Sequence, residues 1–429
     1  MDTIIFHIDV NSAYLSWSAL KRLEAGDEID LRQIPSIVGG DMQKRHGVVL
    51  AKSIPAKKYG IVTGEPIVNA LRKCPSLVLE APDHQLYRQQ SSQLMEYLSS
   101  ICPEIEQLSV DECFMDFTPI QTKYSSPETA AAMIKDQIRE KFGFTVNIGI
   151  SDKKVLAKMA SDFQKPDKVH TLYSYEIREK MWPLPLSSLY MCGKSSVQTL
   201  LKLEIRTIGD LAKADKKIIF SHMKSHGILL WEYANGIDSS AVTSTPAEAK
   251  GVGNSITLPK DVTDRSEACR YLLSLSDSVA GRLRKADQLA GMVSVEIKYS
   301  NFQNVSHQQI LPSPSNTSGV IYDTACKLFD ELWTKEPIRL LGIRSSKLTD
   351  SSEPAQLSLF DLPLAEPDPP ENPAPSVAET SKKAAPSHEK LAALDKTLDS
   401  IRQKYGSNAV VRGSFLPKDN AKAKAKDRQ

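Results

Sequence analysis

Long apolar runs are missing from this sequence of 429 residues. None approaches the ~18 residues needed to cross a bilayer, so no membrane span is expected. The opening Met1-Asp2-Thr3-Ile4-Ile5-Phe6 has neither a basic leader nor a cleavage site, so no signal peptide is expected. Cysteine is sparse: Cys74, Cys102, Cys113, Cys192, Cys269 and Cys326 are scattered, with no C-x-x-C pair. That argues against a disulfide scaffold or a zinc site and for the reduced thiols of a cytoplasmic protein. Excess charge is missing too: 54 basic and 52 acidic residues leave a formal +2. Such a balance gives no hint of a polyanionic partner.

What is present is ordinary for a globular protein, with 41% hydrophobic and 25% charged residues. At roughly 100–200 residues per domain, the length predicts two to four domains. Residues 361–390 carry seven prolines, and 361–380 five acids with no Lys or Arg, which predicts a disordered linker. Beyond it, Leu391, Leu394, Leu398 and Ile401 recur at helical spacing and predict one short amphipathic helix. Ala409-Val410-Val411 reads as a short strand, and the basic stretch from Lys418 as a solvated tail.

Residues 253–348 have a clear rhythm. Ile256 and Leu258 mark a strand, and Leu272, Leu275, Val279 and Leu283 line one face of a long helix. Val293, Val295, Ile297 and Tyr299 then alternate as in a half-buried strand. A strand near 305–312, a helix with Ala325, Leu328, Phe329 and Leu332, and a strand at 338–343 complete the order β-α-β-β-α-β. Nearer the N-terminus, residues 4–10 read as a strand. Ser126 and Pro127 start a helix whose stripe is Ala131, Ile134, Ile138 and Phe142, and Gly143 ends it. Phe144, Val146, Ile148 and Ile150 predict a strand, and residues 152–164 a helix burying Val155, Leu156, Met159 and Phe163. Lys158, Asp162 and Lys165 project from roughly one side of that helix.

Two acidic sites stand out because apolar strands hold them: Asp9, within Ile8-Asp9-Val10, and Asp111-Glu112, within Val110-Asp111-Glu112-Cys113-Phe114. A carboxylate in such a setting needs a partner, since burying it unpaired costs several kcal/mol or more. A divalent metal is one such partner, and Mg2+ takes oxygen ligands; surface acids at strand ends are the other reading. Strict alternation would put Asp111 and Glu112 on opposite faces, so a two-residue turn at Asp111-Glu112 is expected to let both lean toward Asp9.

The blocks Phe6-His7-Ile8-Asp9-Val10-Asn11-Ser12-Ala13-Tyr14, Ser109-Val110-Asp111-Glu112-Cys113-Phe114-Met115-Asp116 and Gly149-Ile150-Ser151-Asp152 through Ser161-Asp162 together resemble a Y-family translesion DNA polymerase of the DinB-like branch. The resemblance spans about residues 3–350. It implies a mixed α/β right-hand polymerase: palm at 1–22 and 82–173, fingers at 23–81, a helical thumb at 174–240 and a β-α-β-β-α-β little finger at 248–350. A clamp-binding peptide at 353–361 and a linker, short helix and tail at 362–429 would follow. Also implied are catalytic Asp9, Asp111 and Glu112, two Mg2+ ions held by these three and the Val10 carbonyl, and low-fidelity synthesis in DNA repair and the SOS response. The expected partners are primer-template DNA, deoxynucleoside triphosphates and a bacterial sliding clamp, around a cytoplasmic monomer.

Further roles follow residue by residue from the same likeness. Tyr14 matches a steric gate against ribose; without the likeness it reads as a core tyrosine. In Lys52-Ser53-Ile54-Pro55-Ala56-Lys57, Ile54 and Lys57 stand where the family usually has Tyr and Arg on the triphosphate. Lys57 keeps a charge without a bidentate fork, so the triphosphate is held differently, with help from Lys52, or held less tightly. Lys165 matches a palm lysine aimed at phosphates, or else complements a helix dipole. Leu189-Tyr190-Met191-Cys192-Gly193 occupies the place of a helix-hairpin-helix turn, with Met191 for the usual glycine. His222 and His226 lack a third ligand and read as surface residues. Gln356-Leu357-Ser358-Leu359-Phe360 looks like a clamp-binding pentapeptide, with Gln356, Leu359 and Phe360 as anchors, or is a stray apolar patch. Residues 248–350 are nearly balanced in charge, so their DNA grip is expected from clusters such as Arg282, Arg284 and Lys285. The remaining alternatives are a polymerase V-like catalytic subunit, a non-catalytic clamp-binding paralogue and a nucleotide cyclase. Retained Asp9, Asp111 and Glu112 weigh against the paralogue, and the clamp peptide and little finger against the cyclase.

Overall fold

A computed structural model describes residues 3–41, 47–245, 248–352, 388–406 and 409–410. The chain forms two compact units, Met1–Ala247 and Glu248–Gln429. The first unit runs β1 (Ile5–Val10), α1 (Ala13–Glu24), β2 (Ser36–Gly39), β3 (Val49–Lys52), α2 (Ile54–Lys58), α3 (Ile67–Lys73), β4 (Val78–Glu80), α4 (His84–Ile101), β5 (Ile105–Gln107) and β6 (Glu112–Asp116). It continues α5 (Pro127–Phe142), β7 (Val146–Ser151), α6 (Lys154–Ser161), β8 (Val169–Thr171), α7 (Lys194–Leu201), α8 (Ile208–Lys213) and α9 (Lys216–Ala234).

A five-stranded sheet of order β5-β6-β1-β7-β8 carries the candidate site. β1 pairs antiparallel with both β6 and β7, so it is central and most of its residues are buried. Phe6, Ile8, Val10, Val146, Ile148 and Ile150 face a core with Ile134 and Ile138 of α5 and Leu94 and Leu98 of α4. β7 is buried on both faces because α6 lies against its other side. Gly149 makes that seat: a Cβ there would stand 2.0 Å from the Ala157 carbonyl and 2.4 Å from the Ser161 nitrogen. The expected α5 is present, with the Ser126 hydroxyl accepting from Thr129 N and Gly143 closing it at φ 75°.

A small sheet of order β3-β2-β4 covers its own core of Ile37, Val49, Ile61 and Ile67. Helices α7–α9 pack Leu200, Ile208, Leu211 and Leu230 against Val155, Leu156 and Met159 of α6. Met191, in place of the expected glycine, takes the left-handed φ of 66°. α9 breaks at Lys224 (φ 54°) between His222 and His226, and His226 lies 3.3 Å from the Ser196 hydroxyl rather than beside His222 at a metal.

The second unit runs β9 (Gly251–Val262), α10 (Arg265–Lys285), β10 (Gln288–Tyr299), β11 (Asn304–Ser315), α11 (Ser318–Leu332), β12 (Ile338–Asp350) and α12 (His388–Tyr405). Its first six elements follow the predicted β-α-β-β-α-β order. The sheet is antiparallel, in the order β11-β10-β12-β9, and Leu272, Val279, Leu283, Ile321, Leu328 and Phe329 of α10 and α11 pack with Val293, Val295, Ile297 and Ile343.

Three expectations need correction. The loop between β5 and β6 is 108–111, not a turn at Asp111-Glu112; Glu112 opens β6. The expected helix near the C-terminus is present as α12; among its described residues Leu394 is 52% exposed and Asp395 is buried, at 5%. Asp395 accepts from Ser318 N at 2.8 Å, supplying the cap that Thr317 does not give α11. Arg284 is not part of an open basic cluster: it donates to both Asp399 oxygens at 2.6 and 3.0 Å and to Asp395 at 3.2 Å. Ala409 and Val410 form a bend rather than a strand. The clamp peptide with Gln356, Leu359 and Phe360 lies outside the described residues.

Candidate active site

The register of β1 and β6 sets Asp9 directly opposite Glu112 and His7 opposite Phe114, all on one face of the sheet. Like charges facing across strands repel. Lysines from the α6 side oppose this: Lys158 Nζ donates to Glu112 Oε2, and Lys165 Nζ to Asp9 Oδ2. Lys165 also meets Asp162 at 2.8 Å. Asp111 joins through the loop: its carbonyl accepts from Val10 N at 2.9 Å, and its Oδ1 takes the Ser109 hydroxyl at 2.5 Å. The loop frees Asp111 from strand alternation and sets its backbone beside Val10, at the end of β1 that carries Asp9.

The environments of the two facing carboxyls differ. Hydrogen bonding from His7, then Lys158, pulls Glu112 down to about 2 against the cost of burial. Burial raises Asp9 above the ordinary carboxylate range despite Lys165. Burial also opposes the charge on Lys165, but Asp9 and Asp162 outweigh it and raise its pKa. Burial lowers His7, which is fully enclosed. Among the described residues no three His, Cys, Asp or Glu side chains already form a metal cage; ammonium groups hold two of the carboxylates instead. The oxygen donors nonetheless suit a hard cation.

Tyr14, in the first turn of α1, stacks flat on Tyr87 of α4, with ring centroids 4.2 Å apart and planes 9° apart. Tyr87 is itself buried and bonded to the Ser18 hydroxyl at 2.9 Å. Lys57 is exposed on α2, and Ile54 beside it is 52% exposed with no polar group to offer. Lys52, at the end of β3, has its pKa lowered by burial and then by the charge of Lys57, so these two cations are neighbours.

Sequence reasoning missed several residues that build the site. Asn147 Nδ2 donates to the Ser161 carbonyl at 3.0 Å and the Gln164 carbonyl at 2.7 Å, tying the end of α6, and so Lys165, to β7. Asn11 Nδ2 donates to Asn147 at 3.1 Å. His7, Ser161 and Tyr87 were missed as well. The available signal was a polar residue inside an apolar strand, on the same alternating face as Asp9: His7 is two positions away, and Asn147 lies across from Asp9 on β7.

The sequence pattern of the impB/mucB/samB family matches residues 8–162, and that of the family's C-terminal domain residues 249–359. The fold has a solved counterpart in a Y-family DNA polymerase chimera: TM-score 0.72 at 20% identity, covering 81% of this chain and 99% of the other. The chain belongs to the impB/mucB/samB family, the Y-family DNA polymerases. The likeness extends over full length to relatives named DNA polymerase IV. That of Clostridium acetobutylicum is 45% identical over 98% of this chain and 100% of its own, and that of Alkaliphilus oremlandii 34% identical over 97% and 100%.

Proposed function

We propose that the facing carboxylates of β1 and β6 carry out metal-assisted nucleotidyl transfer in template-directed DNA synthesis. The chain is a DNA-directed DNA polymerase of the translesion type. The observation that carries the site reading is the Asp9–Glu112 pair across two strands, completed by Asp111 from the loop. Repulsion within that pair is offset by ammonium groups where divalent cations would do the same. Asp9, Asp111, Glu112 and the Val10 carbonyl are the residues to hold Mg2+, two ions per site. Bound there, the metal supplies a lowered pKa for the primer 3′-OH and neutralises charge on the triphosphate.

The protein's own groups do the rest. Lys165, which here holds Asp9, would be available to the triphosphate were a cation held by Asp9 instead. Lys52 and Lys57 add positive charge from the β3–α2 side; Ile54 adds none, so triphosphate recognition is by charge rather than by a planar fork. Tyr14, braced by Tyr87, walls off the sugar 2′ position. Residues 1–22 and 82–173 act as palm, 23–81 as fingers, 174–240 as thumb and 248–350 as little finger. The peptide anchored by Gln356, Leu359 and Phe360 engages the sliding clamp. The protein works as a cytoplasmic monomer in the DNA-damage (SOS) response; among the described residues no helix is long and apolar enough to cross a membrane.

The test is primer extension on a primed template with Mg2+. Asp111→Ala should abolish extension while circular dichroism and melting stay those of the parent. Extension at the parent rate would overturn the metal assignment.

A further inference from the structure

His7 is completely buried and uses both ring nitrogens. Nδ1 lies 2.8 Å from the Ser161 hydroxyl of α6. Nε2 lies 3.2 Å from Glu112 Oε2. A hydrogen bond from Nε2 to the Glu112 carboxylate requires the proton on Nε2, and Lys158 Nζ, 3.4 Å away, faces the same nitrogen. With the proton there, Nδ1 of the neutral ring is an acceptor, and the Ser161 hydroxyl, which also lies 2.8 Å from the Lys158 carbonyl, is shared between the two acceptors. The ring itself is fixed by its edge-to-face contact with Phe114, with centroids 4.9 Å apart.

We propose that His7, backed by Ser161, is a positioning residue for Glu112. This inference rests on the reading above, that Glu112 holds a metal ion. Both His7 and Lys158 end on Oε2, so Oε1 is the oxygen Glu112 offers a cation. Lys158 alone cannot fix the carboxylate, because a flexible ammonium stem constrains distance but not rotation. A rigid imidazole on the same oxygen defines the carboxylate plane. Hydrogen-bonded support of this kind behind a metal-binding carboxylate typically accounts for about 10–100-fold in metal affinity.

Side-chain amides separate the two ring nitrogens. His7→Gln keeps an N–H near the Nε2 position, whereas His7→Asn keeps one only near Nδ1. Each variant, with Ser161→Ala and Glu112→Gln, is loaded with a dideoxy-terminated primer-template and a non-hydrolysable nucleotide. Mn2+ binding is followed by electron paramagnetic resonance, and the apparent KM for Mg2+ is read from extension on a normal primer. His7→Asn should bind Mn2+ about 10–100-fold more weakly. Its Mg2+ KM should rise in step, with kcat at saturating metal little changed, and His7→Gln should restore most of the loss. Ser161→Ala, which alters little volume, should show a smaller loss of the same kind; it keeps the test decisive if a His7 variant does not fold. Parent-like Mn2+ affinity in His7→Asn and Ser161→Ala, or His7→Gln no better than His7→Asn at equal Tm, overturns the proposal. Glu112→Gln distinguishes the two levels: if it too binds Mn2+ like the parent, the metal reading of Glu112 fails first.

Discussion

Asp9 and Glu112 share one cross-strand position, yet titrate in opposite senses. Glu112 drops from 4.5 to about 2 on folding. A depressed carboxyl stabilises fully above its unfolded pKa and loses that contribution as pH falls through the folded value. For Glu112 that is on the order of 3 kcal/mol, lost between about pH 4.5 and 2. Asp9 is raised, so its protonation in acid works the other way and relieves a cost. Urea unfolding of the EDTA-treated protein should therefore show a steep acid limb, which Glu112→Gln flattens in that window; an unchanged limb would mean that the His7 and Lys158 contacts to Glu112 contribute nothing. Tyr14 supports a second expectation. Because Tyr87 leaves its ring no room to swing away, Tyr14→Ala should raise ribonucleotide incorporation by at least about tenfold, or about 1.4 kcal/mol of discrimination. Competition between ribo- and deoxynucleotides in single-nucleotide extension measures it. At this scale the acids were legible, since Asp9 and Glu112 are polar in apolar strands. Their counter-charges were not: Lys158 meets Glu112 across 46 residues and His7 across 151, distances over which local pattern is silent.

Among elements, α6 does most to assemble the site, because Lys158 and Ser161 lie on it and Lys165 just beyond. It can approach β7 only because position 149 has no side chain. Gly149→Ala would drive a methyl group into α6 backbone and should cost about 1–3 kcal/mol in urea unfolding. Extension should fall further than that loss implies, since the lysines shift with the helix; full activity at parent stability would show that α6 tolerates displacement. Element legibility followed period. β10, alternating in and out from Val293 to Tyr299, was readable from sequence, as was α5 between its Ser126 cap and Gly143. The turn before Glu112 was misplaced because β6 begins at Glu112, one residue earlier than a turn at Asp111-Glu112 allows. α12 was found as a helix, but the polar contacts that seat it were not. Spacing of leucines predicts an apolar contact, and nothing local signals that Asp395 caps α11 and Asp399 grips Arg284.

For the molecule as a whole, near-neutral charge is a property of the sum. Acids are spent on Arg284 and on the site lysines as well as on solvent, so Arg284 is withdrawn from the Arg282, Arg284 and Lys285 cluster of the second unit. Weak, salt-sensitive DNA binding follows, and residence on DNA should depend on the clamp. Deleting 356–360 should reduce clamp-stimulated extension severalfold and leave basal extension unchanged; equal loss of both would remove the clamp assignment.

The seating of α12 changes what the C-terminal region is mechanically. β12 ends at Asp350, and α12, from His388 on, is fastened non-covalently to the same unit through Asp395 and Asp399, so the chain is anchored on both sides of 353–387. A cut between two anchorages leaves both pieces attached. Protease nicking within 353–387 should yield two pieces that part in denaturant but elute together in native gel filtration. In a chain carrying both Asp395→Ala and Asp399→Ala they should separate without denaturant, and a partner pulling on 356–360 would then draw on one anchorage instead of two.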